Sequence, residues 1–196
     1  MSGPIQQKRP RYWFPKPYSD FVARVRVPIG FLLLIAFVWL SNPSWLSMLV
    51  GLLISSLGLW LRGWATGHLA KDRQLARTGP YAYIRNPLYA GTLIVAAGVV
   101  IAARDLVLGI IFLMAFSLVY LPVIELEEQH LRDIFPAYAA YAAQVNRLFP
   151  VSKWKGVQMR FSWGLYFRNQ EYKALLGFLL ATACLVWKCW RSSRLT

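Results

Sequence analysis

The stretch VPIGFLLLIAFVWLSNPSWLSMLVGLLISSLGLWL, residues 27–61, holds 35 residues without one charge. That is too long for one membrane crossing and about right for two short ones, since a helix needs ~20 residues to cross the hydrocarbon core. Ser41-Asn42-Pro43-Ser44 interrupts the run with turn formers and a proline suited to a helix start. The stretch therefore predicts a helical hairpin, with spans near 26–41 and 44–64.

Further uncharged runs follow at 86–103, 106–124 and 174–187, the first two separated by Arg104-Asp105. Lys173 and Lys188 flank the last run and can snorkel to lengthen it. The expectation is an all-α integral membrane bundle of about five transmembrane helices, with interfacial amphipathic helices beside them. Composition agrees: 57% of the 196 residues are hydrophobic and only 15% are charged, whereas a soluble surface needs about 25%. One membrane domain over 1–196 is expected. It comprises a basic, aromatic interfacial N-terminus (1–25), the hairpin (26–64), a core (65–150), and an interfacial segment with the last span (151–196).

The net charge of +14 raises the question of nucleic acid. The basic residues stand beside the apolar runs and not within them, which is the pattern of cytoplasmic loops. Membrane lipids are the expected partner, not nucleic acid. With the N-terminus and the large loops 62–85 and 125–173 cytoplasmic, eighteen Lys and Arg lie inside and four outside. The C-terminal tail is a minor violation if the fifth span crosses fully, and the sequence leaves that open. The N-terminus lacks a short apolar core behind a basic start, so no cleavable signal is expected. Cys184 and Cys189 are five apart on one predicted helix and point about 140° apart, so they are read as unbridged. His68 and His130 are far apart, and no metal-ligand spacing occurs.

Chemistry is sought at the loop face. TGPYAYIRNPLYAG, residues 78–91, packs two prolines, three tyrosines, two glycines and one arginine into the mouth of the third run. Gly79-Pro80 marks a turn. Asn86-Pro87 marks a helix start, with Asn86 as N-cap and Pro87 at the first helical position. Arg85 stands beside the free N–H groups of that start, a weak anion site. Tyrosines and arginines are also ordinary interface anchors, and these residues alone leave both readings open.

The fourth run ends in acid. LPVIELEEQHLRDIFPAYAAYAAQV places Glu125, Glu127 and Glu128 straight after nineteen uncharged residues, where an unpaired carboxylate is costly. Glu128 can pair with Arg132 at i+4. Glu127 has only Leu131 and Val123 at that spacing, so it is either solvated or faces a cationic ligand or the basic loop. Apolar residues continue at helical spacing through Leu148, with Pro136 expected to split the stretch into two helices. The amphipathic part would lie along the membrane surface and roof a pocket. Residues 153–173, basic and aromatic, read as a membrane anchor.

The pairing of GPYAYIRNPLYAG with EEQHLRDIFPAYAAYAAQVNRLFP, one span apart, resembles the isoprenylcysteine carboxyl methyltransferase and phospholipid methyltransferase superfamily over roughly residues 62 to 150. Those are integral membrane enzymes that use S-adenosylmethionine. The resemblance implies a cofactor wall of Gln74, Leu75 and Ala76, then Tyr81, then Asn86, Pro87, Leu88 and Tyr89. The opposite wall is Glu127 with Glu128, Glu127 being the favoured contact. Arg85 and Glu127 are the implied catalytic residues, and a lipophilic or small amphiphilic carboxylate or amine is the implied acceptor. There are departures. Asn86 stands where the family usually has His; it keeps the hydrogen-bonding capacity but does not titrate. Val123 stands where members acting on prenylated cysteines carry Arg, and Pro136 replaces a usual glycine. Methyl transfer from a sulfonium needs no metal, only near-attack geometry, which contributes up to ~7–11 kcal/mol in ideal cases. The rival readings are an NADPH-dependent membrane reductase of the sterol-reductase type and a non-catalytic membrane protein such as a transporter or scaffold.

Overall fold

The computed structural model describes residues 13–151, 153–155 and 159–194, the side chain of Val27 excepted. It is all-α, with no strand among those residues beyond one isolated bridge. Helices α1 (Lys16–Leu40), α2 (Trp45–Thr66), α3 (Pro87–Ala103), α4 (Leu106–Ala115), α5 (Leu121–Ile134) and α8 (Tyr172–Ser192) build the bundle. The short α6 (Tyr138–Gln144) and α7 (Trp163–Arg168) belong to its loop end. A π turn at Phe116–Tyr120 joins α4 to α5, so that 106–134 runs as one helical rod.

Three helical segments are long and apolar enough to cross a membrane: Trp45–Thr66, Leu106–Ile134 and Tyr172–Ser192. Helix α1 supplies a fourth as a bent pair, and α3, at 17 residues, is apolar but shorter. Leu32, Leu53, Leu106 and Leu180 are exposed on these helices, as lipid-facing side chains are.

Helix α1 starts ten residues before the expected span. Its first half carries Lys16, Asp20, Arg24 and Arg26, which read as interfacial chain. It stays helical because its apolar side is covered: Val22 packs with Val119 and Val123. At Pro28 the halves Lys16–Arg26 and Pro28–Leu40 bend by 54°, as expected where a proline removes a helical N–H and clashes with the preceding turn.

Helices α2 and α3 approach backbone to backbone. A Cβ on Gly58 would lie 2.7 Å from the Gly91 carbonyl oxygen. One on Gly51 would strike the Gly98 carbonyl, and one on Gly98 would strike Ser55 Oγ. The Ser55 hydroxyl donates across the seam to Val95 O at 2.9 Å, the small-residue packing by which membrane helices gain contact without a hydrophobic drive. Ser44 caps α2 in a reciprocal box with Ser47.

At the turn end of the bundle, the Asn42 N–H donates to Ala103 O at 2.8 Å. There Lys188 Nζ donates to Val38 O at 2.8 Å and Ser41 Oγ at 3.0 Å. Lys188 therefore closes the open carbonyls of α1 instead of simply reaching for water. Because Glu171, at the other end of α8, meets Arg62 beside the large loops, α8 spans the whole bundle. Cys184 and Cys189 are free thiols.

The loop end is tied into one cap. Arg85 N–H donates to Asn146 O (2.8 Å), Asn86 N–H to Arg147 O (3.1 Å), Trp154 N–H to Ala82 O (2.7 Å) and Ser162 N–H to Gly67 O (2.9 Å). Asn169 Nδ2 reaches Leu69 O at 2.9 Å. Residues 153–173, read as an anchor, thus also lace the two loops together. The break at Pro136 falls where expected, between α5 and α6. The apolar side of α6 is used inside the cap, where Tyr138, Tyr141 and Val145 cluster with Leu75 and Trp154.

Candidate active site

Beneath the cap lies an open cavity of about 920 Å³, walled by α1, α2, α3, α5, α6 and the 67–86 loop. Gln74, Leu75, Ala76, Tyr81, Arg85, Asn86, Pro87, Leu88, Tyr89 and Glu127 all line it. Two patches some forty residues apart in the chain meet there: the Tyr89 hydroxyl donates to Glu127 Oε1 at 2.9 Å. Tyr120 meets Tyr89 edge to face, with ring centroids 6.3 Å apart. No Lys or Arg of the described residues pairs with Glu127.

Glu128 departs from both readings given to it. It is buried and absent from the cavity lining. Its partner is not Arg132, whose guanidinium lies over the Tyr138 ring at 5.2 Å. Glu128 accepts from Asn86 Nδ2 at 2.9 Å and Arg147 Nη2 at 3.0 Å, with Arg85 Nη2 at 3.5 Å. Glu127 lines the cavity, while Glu128, about 100° round the helix, does not. Asn86 holds the N-cap position of α3 but makes no side-chain cap, because its amide is turned to Glu128. Glu125 is buried too, and accepts from the backbone N–H groups of Trp13 (2.9 Å) and Phe14 (3.0 Å). That pins the chain entering α1 to α5.

The tyrosines of the cap are neutral donors at physiological pH. Burial, the largest cause, pushes the phenols of Tyr81, Tyr138 and Tyr141 well above the usual value. The Tyr141 hydroxyl donates to Tyr81 O at 2.7 Å, which fixes the turn before Arg85. Arg85 Nε and Tyr138 Oη are buried without a hydrogen-bond partner among the described residues, and an orphan of this kind costs about 1–3 kcal/mol.

Several lining residues escaped the sequence reading. Arg62 forks onto Glu171 (Nε–Oε1 2.7 Å, Nη2–Oε2 3.0 Å) and donates to Thr92 Oγ1 at 2.5 Å. Its signal was the lone acid after residue 133, set at the start of an apolar run. Lys16 and Asp20 of α1, and His130 with Asp72, also line the cavity. Nothing local in the sequence pointed to His130 and Asp72, which meet across 58 residues of chain.

The helical membrane bundle thus carries, at its loop end, a cavity lined by tyrosines and carboxylates. The model of the family described as phospholipid methyltransferase matches residues 30–138, and the chain belongs to that family. The match reaches back through both early spans, further than the 62–150 region that carried the resemblance. Over 156 residues the chain is 29% identical to the nickel-cobalt-cadmium resistance protein NccN of Alcaligenes xylosoxydans xylosoxydans, covering 72% of each chain. It is 32% identical over 114 residues to the cobalt-zinc-cadmium resistance protein CzcN of Cupriavidus metallidurans, covering 57% of this chain and 51% of that one. No solved structure matches.

The residues present fit the cofactor that this family generally uses. The cavity lies within the ~300–1,000 Å³ range of small-molecule sites. It offers carboxylates, Glu127 among them, and tyrosines to a cation, and the arginines Arg62 and Arg85 to a carboxylate.

Proposed function

We propose that this chain transfers a methyl group from S-adenosylmethionine to a lipophilic or small amphiphilic acceptor, carboxylate or amine, at the cytoplasmic side of the membrane. The observation that carries the reading is the Tyr89–Glu127 hydrogen bond inside one cavity. When bound, the cofactor supplies an electrophilic methyl on a positively charged sulfur.

Glu127 attracts the ammonium or sulfonium, and Tyr89 and Tyr81 add cation–π attraction of order 0.5–2 kcal/mol. Arg85, with the first N–H groups of α3, takes the carboxylate. Gln74, Leu75, Ala76, Pro87 and Leu88 give the flanking walls. Glu128 acts behind Asn86 and Arg85, fixing their side chains. Water-soluble cofactor enters from the loop face, and the acceptor enters sideways from lipid. The metal-resistance names of the relatives are compatible with a protein that modifies membrane constituents. Among the described residues no group of three or more His, Cys, Asp or Glu could hold a metal ion.

The test is transfer of label. Membranes containing the protein are incubated with methyl-labelled S-adenosylmethionine, and the extracted lipids and amphiphiles are analysed by mass spectrometry. A labelled species that disappears with Glu127→Gln supports the reading. No protein-dependent label in any extract contradicts it.

A further inference from the structure

His130 lies three residues beyond Glu127 on α5, so the two side chains leave the helix about 60° apart, on one face. Both line the cavity. His130 Nε2 stands 3.3 Å from Asp72 Oδ1, a residue of the facing 67–86 loop, and both side chains are more than half exposed. The pair therefore touches the cavity on one side and water on the other. We propose that His130 is the proton acceptor for an amine substrate of this site, with Asp72 as its positioning residue. This rests on the methyltransferase reading and narrows it to one acceptor class.

Such a group serves the chemistry. An alkylamine with a pKa near ~10.4 is almost wholly protonated at neutral pH, on the order of one molecule in a thousand carrying a lone pair. A protonated amine cannot attack a methyl group. The cavity carboxylates attract the ammonium, but carboxylates are weak bases at neutral pH, whereas imidazole is the side chain suited to exchange protons there. With its proton on Nε2 toward Asp72, the imidazole keeps a lone pair on Nδ1. Nδ1 takes one proton from the ammonium. The freed nitrogen pair forms the N–C bond as the C–S bond breaks, and the sulfur keeps the electron pair. The imidazolium then releases its proton to the water that reaches it. Other charged groups lining the cavity are Glu127 and Asp133 on the same helix, Lys71, Asp72 and Arg85 from the loop, Arg62 from α2, and Lys16 and Asp20 from α1.

The experiment uses full-length protein in lipid nanodiscs with S-adenosylmethionine, offering dodecylamine and dodecanoate as acceptors. His130→Gln should lower kcat on dodecylamine by about 100-fold or more at pH 7, with cofactor Kd unchanged. The deficit should close as the pH approaches 10, where the amine loses its proton unaided, and added imidazole should restore part of the rate at pH 7. Nitrogen-15 NMR of the His130 ring should show the proton fixed on Nε2, and Asp72→Asn should mix the tautomers. A rate loss equal at every pH, no loss at all, or transfer to dodecanoate but never to dodecylamine overturns the proton-acceptor role and leaves the methyltransferase reading in place. Wild-type protein that binds no cofactor overturns that reading as well.

Discussion

Glu127 and Glu128 are neighbours with opposite surroundings. Glu127 was readable in the sequence because nothing at i±4 could pair with it. Glu128 was misread because its i+4 arginine was the nearest candidate, while Asn86 and Arg147 lie 42 and 19 residues away. Local spacing could not outrank contacts that only the packed cap supplies. Glu128→Gln leaves two guanidinium groups facing a neutral amide. Breaking a buried ionic cluster costs about 3–5 kcal/mol, so thermal melts in detergent should show a large loss of stability. Glu127→Gln should leave the melting temperature nearly unchanged, since its carboxylate faces the cavity. His68 gives a pH prediction. It is buried against Thr78, its Nδ1 3.1 Å from the Thr78 hydroxyl oxygen, and burial holds its pKa below 6.5. The unfolded chain then binds the proton first, so stability falls as pH drops below about 6.5 and is retained above it. Melts between pH 5 and 7.5 should show this slope, and His68→Gln should flatten it.

Among the elements, the apolar runs were legible because a charge-free stretch of span length has few alternatives in water. The five runs are the five apolar helices found. What the runs concealed was continuation and contact. The charged half of α1 looked interfacial because its covered side is short, and the π turn at Phe116–Tyr120 has no sequence mark. The glycines of α2 and α3 are regularly spaced, but only their mutual approach reveals the seam. Gly98→Val places a branched side chain against Ser55 Oγ and the Gly51 carbonyl. Overpacking costs ~1–3 kcal/mol or more, so this variant should melt markedly lower or aggregate on size-exclusion chromatography. Gly177→Ala is the control: its Cβ meets nothing within 4 Å, and stability should hold or rise.

At the scale of the whole molecule, Trp13 and Phe14 before α1 lie with the large loops at one end, while the hairpin turns and the C-terminal end of α8 gather at the other. From the charge count we propose that the first end is cytoplasmic. In a background of Cys184→Ala and Cys189→Ala, an impermeant maleimide should label Lys71→Cys only from the cytoplasmic side and Ser193→Cys only from the opposite side. Labelling of both from one side would break the proposed topology. The sequence pointed to the loop end, because polar and aromatic residues collect there. It could not show that α1 and α6 complete the walls. The account stands or falls on whether the cavity holds a sulfonium compound. Isothermal titration of S-adenosylmethionine into the detergent-purified protein measures this directly. Saturable binding at one site per chain, lost in Glu127→Gln, is the predicted result; no binding by the wild type, or the same binding by the variant, would contradict the account.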